Sequence, residues 1–137
     1  MHVQARIESR SEGYSARVST DGTEHAVTLT AKPSGGSAVN GGELLFLALA
    51  TCYCNDLYRE AKRREMELTQ VVVTVQGEFG GPGEPAHGVS YGARVWARAT
   101  KAAIEALMAH TDGVAEIHNT LRQGTTVTLA EAVAIPS

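Results

Sequence analysis

Two cysteines, Cys52 and Cys54, stand in the run LFLALATCYCNDLYREAKRR. A thiol is a side chain whose chemistry is set by its surroundings. As a thiolate it is a nucleophile that oxidises reversibly, and among apolar neighbours it is an inert small hydrophobe. On a helix, residues two apart differ by about 200°, so the two sulfurs point to different faces. A disulfide between them would need the helix to open. A C-x-C pair is too little for zinc without further ligands. His2, His25, His87, His110 and His118 show no ligand spacing, so neither a metal nor a cofactor is expected.

Cys52 is the main candidate for chemistry. Ala48, Asn55, Asp56 and Arg59 share its face at helical spacing. A carboxylate at Asp56 would raise the thiol pKa and a guanidinium at Arg59 would lower it. Arg59 is two turns on, about 10 Å along the axis, too far to act directly. The helix dipole gives little help at mid-helix. A cation would have to come from elsewhere, and Arg10 or Arg17 of the first hairpin could serve. By its own residue pattern, each also reads as a solvated strand residue.

The elements that position this thiol follow from periodicity. Val3, Ala5, Ile7 and then Tyr14, Ala16, Val18 alternate with polar residues, as half-buried strands do. Asp21-Gly22 is a two-residue hairpin signal, and a third strand continues through Ala26, Val27, Leu29 and Thr30. Lys32 to Asn40, with Pro33, Gly35 and Gly36, reads as a loop. From Glu43 to Glu65 there is no Pro or Gly, and the apolar spacing predicts a long helix. Asn40 or Gly41 can cap it, Glu43 suits its first turn, and Lys62, Arg63 and Arg64 suit its last. Its first half, Leu44 to Ala50, is apolar all round, so it must be surrounded on every face. A domain this small can hardly do that alone, which points to a homodimer. Strands are expected over Thr69–Phe79, Val89–Ala99 and Thr125–Ile135. Short helices are expected over Lys101–Ala109, broken by Asp112-Gly113, and over Val114–Leu121. The class is α+β.

With 137 residues the chain suits one domain. Its hydrophobic content of 43% and charged content of 20% fit a folded globular protein. A net charge of -3 leaves no basic surplus to hold nucleic acid or an anionic membrane. The 5% aromatic content offers no base-stacking surface. The start lacks a secretory apolar core and no stretch reaches transmembrane length. Two close cysteines make no disulfide framework. A reducing cytoplasm is the expected location.

The segment NGGELLFLALATCYCNDLYREAKRR resembles the helix motif of the OsmC/Ohr family, the osmotically inducible and organic-hydroperoxide-resistance proteins. In that family a loop with Asn-Pro-Glu precedes Leu, an Ala-rich apolar stretch and the reactive cysteine. AHTDGVAEIHNTL looks like the second motif, Cys-Pro-x-Ser-Asn-x-Leu, in degraded form. The likeness spans nearly the whole chain, a single OsmC-like domain over residues 1–137.

The resemblance implies an intertwined homodimer, with two long helices between strands of both subunits. It also implies hydroperoxide reduction by a thiol, through a sulfenic acid that an external thiol reductant finally clears. On that pattern Cys52 matches the peroxide-reactive cysteine and Arg10, or Arg17, its arginine. The family's glutamate falls at Gly42, with Glu43 one place late. The resolving cysteine falls at Ala115, so the usual two-cysteine cycle lacks a member. His118 and Asn119 match the Ser-Asn pair. A one-cysteine thiol, or resolution by Cys54 after local unwinding, would repair the cycle. The alternative is a non-catalytic dimer that binds a small apolar ligand or serves stress response without peroxidase activity.

Overall fold

Asp21 and Gly22 both adopt positive φ, 47° and 85°. A two-residue hairpin turn of this hand matches the twist of its strands. It folds β2 (Gly13–Thr20) back onto β3 (Thr23–Val27), and β1 (Val3–Arg10) lies on the other side of β2. Both pairings are antiparallel, with Ile7 opposite Ala16 and Val18 opposite His25. The computed structural model describes residues 1–137 as two compact units, Met1–Leu45 and Phe46–Ser137, and this meander is the body of the first.

The third strand stops at Val27 rather than continuing to Thr30. Beyond it the loop supplies the backbone partners: Thr30 accepts from Ala38 N at 2.8 Å, and Lys32 N donates to Gly36 O at 2.9 Å. With those groups satisfied locally, the ladder with β2 has no need to extend.

The long helix α1 (Gly41–Arg63) begins in a reciprocal cap. Glu43 N donates to Asn40 Oδ1 at 2.8 Å, and Asn40 N donates to Glu43 Oε1 at 3.0 Å. Two of the helix's orphan donors are satisfied by this exchange.

In the second unit, β4 (Leu68–Phe79) and β5 (Ala86–Ala97) form an antiparallel hairpin. Its inner face carries Val71, Val73, Tyr91 and Val95 against Tyr53, Leu57 and Ala61 of α1 and Leu107 of α2 (Lys101–Val114). Leu57 and Leu107 are wholly buried. Thr100 caps α2 by accepting from Ala103 N.

Helix α2 runs through Asp112-Gly113, where the sequence predicts a break. Buried Thr111 returns its hydroxyl to Leu107 O at 2.7 Å, and Asp112 is held by Tyr91 and Arg122. Packing overrides the weak helix propensity of the pair. The break falls instead at extended Ala115, before α3 (Glu116–Gln123).

The strand expected over Thr125–Ile135 does not form within this chain. Gly124, at φ 68°, caps α3 in the left-handed conformation, and residues 125–137 have no ladder partner. Val127, Leu129, Val133 and Ile135 are 69–95% exposed. No helix is long and apolar enough to cross a membrane.

His118 is 4% exposed, and neither of its ring nitrogens has a hydrogen-bond partner. Its ring stands edge-on to Tyr91, with centroids 4.6 Å apart, and 6.0 Å from the ring of Tyr53. Burial, with the Arg122 charge, holds the imidazole below its ordinary pKa, against the pull of Asp112.

Leu57→Ala should cost roughly 2–5 kcal/mol, the usual cost of a cavity at a fully buried leucine, read by denaturant unfolding. For His118 the unfolded chain binds a proton at higher pH than the folded one. Its contribution is therefore fully present above the ordinary histidine range and is lost as pH falls through that range toward the lowered folded value. His118→Phe should show a shallower fall in Tm than wild type between about pH 7.5 and about pH 5.5.

Candidate functional site

Helix α1 buries a stripe at spacing four: Leu49, Tyr53, Leu57 and Ala61. Cys52, Asp56 and Glu60 form a parallel stripe one residue earlier, turned by about 100°. It sits at the edge of the buried face: Cys52 is half-buried, while Asp56 and Glu60 are buried. Each buried carboxyl needs a partner there.

Glu60 is held by three partners, an imidazole and two guanidiniums. Its oxygens lie 2.7 Å from His110 Nε2, 3.2 Å from Arg63 Nη1 and 3.5 Å from Arg59 Nε. The His110 hydrogen bond first, and then the two guanidiniums, hold its carboxyl below the usual range against the effect of burial.

Cys52 faces acid instead. Its Sγ lies 3.6 Å from Asp56 Oδ2 and 3.8 Å from Glu116 Oε2, at the start of α3. Arg59 Nη1 bridges the two carboxyls, 3.0 Å from Asp56 Oδ1 and 3.0 Å from Glu116 Oε1. The guanidinium thus reaches the thiol only through the acids.

Burial first, and then Asp56 and Glu116, push the Cys52 thiol pKa up, with only the Ile117 backbone N–H opposing. Burial, then Glu116, also raises Asp56. Glu116 is lowered by its own backbone N–H, then by the Asp56 hydrogen bond and Arg59. The two carboxyls are thus displaced in opposite directions, Asp56 upward and Glu116 downward. One ligand atom from each of Cys52, Asp56 and Glu116 lies within 4.8 Å of the others, a spacing a cation could use. Arg59 already supplies positive charge to both carboxyls.

Beside this cluster, Tyr53 donates to Met108 O at 2.8 Å, and Tyr91 donates to Asp112, which also accepts from Arg122 Nη2 at 2.7 Å. Burial, then the Asp112 charge, pushes the Tyr53 hydroxyl up to about 12.

The other sequence candidates take distinct places. Arg10 ends β1, exposed, with its Nη2 2.9 Å from Glu8 Oε2. Arg17, in β2, pairs with Glu24. The carboxylate of Glu43 belongs to the α1 cap. Cys54 is a free thiol two residues along an unbroken helix. Ala115, which the resemblance sets at the resolving cysteine, is wholly buried and immediately precedes the acid that touches Cys52. Asn119 ties α3 to α2 through Gly113 O at 3.1 Å.

Asp56 bears on the thiol as its spacing predicts. Sequence reasoning missed Glu116. Its signal was adjacency to Ala115, which the resemblance pairs with Cys52.

A family profile described as OsmC-like protein matches residues 34–130. No curated protein matches the sequence. Among solved structures, a hypothetical protein from Aquifex aeolicus is similar with a TM-score of 0.67 at 16% identity, covering 91% of this chain and 90% of that one. An OsmC-like protein from Mycoplasma pneumoniae gives 0.62 at 16% identity, over 90% and 86%. An organic hydroperoxide resistance protein OsmC from Legionella pneumophila gives 0.52 at 18% identity, over 89% and 90%. Such identities speak for the fold alone. The profile match, by contrast, spans most of the sequence and both cysteines, and by it the chain belongs to the OsmC-like protein family.

Proposed function

We propose that the protein reduces organic hydroperoxides through the thiol of Cys52, as part of oxidative stress defence in a reducing cytoplasm. The carrying observation is the free, half-buried thiol of Cys52 at the reactive position of the family's helix motif, with its sulfur against the turn just after Ala115. The name of the Legionella relative, an organic hydroperoxide resistance protein, supports the same reading.

In the first step Sγ bonds to one peroxide oxygen, the O–O bond breaks, and the other oxygen leaves as the alcohol. Cys52 is left as a sulfenic acid. Ala115 brings no second sulfur, and the unbroken α1 turns Cys54 to another face. An external thiol therefore condenses with the sulfenic acid, releasing water and forming a mixed disulfide. A second external thiol then displaces Cys52 and completes the reductant's own disulfide. The family pattern offers Arg10, with Arg17 as its alternative, as the guanidinium partner of the thiol, and Glu43 as the helix-start carboxylate.

We also propose a homodimer. Leu47 on α1 is 59% exposed, and the alternating apolar residues from Val127 to Ile135 lack a ladder partner in their own chain. A second copy would cover both kinds of surface.

One observation favours a second reading. The Cys52 sulfur lies 3.6 and 3.8 Å from two carboxyls, with Arg59 on the acids rather than on it, and this suits an unreactive thiol in a dimer that binds a small apolar ligand.

Peroxide consumption with a dithiol reductant separates the readings. Cys52→Ser should abolish turnover with tert-butyl hydroperoxide. Equal rates in wild type and variant would leave only the ligand-binding reading. Of Arg10→Met and Arg17→Met, the variant that slows turnover identifies the guanidinium partner. In sedimentation, the protein should run at twice the 14.5 kDa of one chain. Deleting residues 125–137 should shift it toward the monomer.

A further inference from the structure

The sulfur of Cys52 and the guanidinium of Arg59 take opposite oxygens of the same two carboxyls. Sγ lies 3.6 Å from Asp56 Oδ2 and 3.8 Å from Glu116 Oε2, whereas Arg59 Nη1 lies 3.0 Å from Asp56 Oδ1 and 3.0 Å from Glu116 Oε1. The thiol thus meets carboxyl oxygens first and positive charge only behind them. One guanidinium serves both acids, and its Nε also reaches Glu60 at 3.5 Å. Around this sulfur the acids are in surplus. They differ in exposure: the Asp56 side chain is 8% exposed and that of Glu116 58%. Of the two, Glu116 is the one that a molecule approaching from solvent meets. Unit charges about 4 Å apart interact strongly enough to change a rate roughly 5-fold even at the dielectric of bulk water, and more where water is partly excluded.

We propose that these acids select the co-substrates of Cys52 by charge: it reacts with hydroperoxides and thiol reductants that are neutral or cationic near the reacting atom, and Glu116 is the residue that turns anionic ones away. This rests on the reading of the protein as a hydroperoxide reductase. In that cycle ROOH and Cys52-SH give ROH and Cys52-SOH. An external thiol R′SH then gives the mixed disulfide and water, and a second R′SH returns Cys52-SH and leaves R′SSR′. The two electrons that reduce the peroxide come from the two external thiols. Each step brings a new group up to the same carboxylate, so a negative charge on R or R′ is opposed every time.

The test sets reagents of like size and different charge on the one sulfur, in a Cys54→Ser background so that only Cys52 reports. Iodoacetamide is neutral and iodoacetate anionic, and neither needs peroxide. At a given pH the same thiolate attacks both, so the ratio of their rates cancels the thiolate fraction and reads the charge around the sulfur. Against N-acetylcysteinamide, a neutral free thiol, the acetate-to-amide ratio should be at least about 5-fold lower at Cys52. Glu116→Gln should return the ratio toward the free-thiol value, and Glu116→Asp should keep it low. Raising salt from about 0.01 M to about 1 M, which shortens the screening length from about 30 Å to about 3 Å, should also raise the ratio while Glu116 is intact. In turnover with tert-butyl hydroperoxide, the advantage of cysteamine over thioglycolate as reductant should shrink in Glu116→Gln. A free-thiol ratio at Cys52 with Glu116 intact, or a ratio that neither Glu116→Gln nor salt moves, would overturn charge selection. Undiminished peroxide consumption in Cys52→Ser would instead refute the underlying hydroperoxide reading, an outcome separable from the first because alkylation needs no peroxide.

Discussion

The second unit depends on one packing constraint, the burial of the α1 stripe Leu49, Tyr53, Leu57 and Ala61. A helix cannot bury one line of side chains without half-burying the lines beside it. The adjacent line here is Cys52, Asp56 and Glu60. Desolvating those groups is unfavourable unless each is paired. Arg59, Arg63, His110 and Glu116 answer that demand. The polar site is thus a by-product of how the core is filled, and its geometry is as fixed as the core itself.

That constraint explains why a thiol on this helix differs from one activated by a nearby cation. Thiols are made reactive by positive charge close to sulfur. Along α1 the positive charge is spent on carboxyls, with Arg59 on Asp56, Glu60 and Glu116 and Arg63 on Glu60. What remains at Cys52 is a pair of acids, which add to burial in pushing its thiol up.

The sequence disclosed the parts that local rules determine. Asp21-Gly22 announced its turn, the run between Glu43 and Glu65 its helix, and Val71, Val73 and Val75 a half-buried strand. It failed where distant contacts decide. Gly113 reads as a breaker, but buried Thr111 and Leu107 carry α2 past it. Residues 125–135 alternate as a strand does, yet a strand exists only with a neighbour to bond. At the site, Asp56 was legible because helical spacing is short-range. Glu116 lies 64 residues from Cys52 in sequence, and only the fold brings the two together.

The β4–β5 hairpin carries a consequence of its own. Each of its twelve-residue strands has a single ladder neighbour in the chain. Along each strand, amides alternate between those bonded across the hairpin and those directed outward. Amide hydrogen exchange should record this as a two-residue rhythm, with slow and fast positions in turn. The slow set draws its protection from the helices packed on the inner face rather than from the length of the ladder, since an isolated two-stranded hairpin is marginal in water.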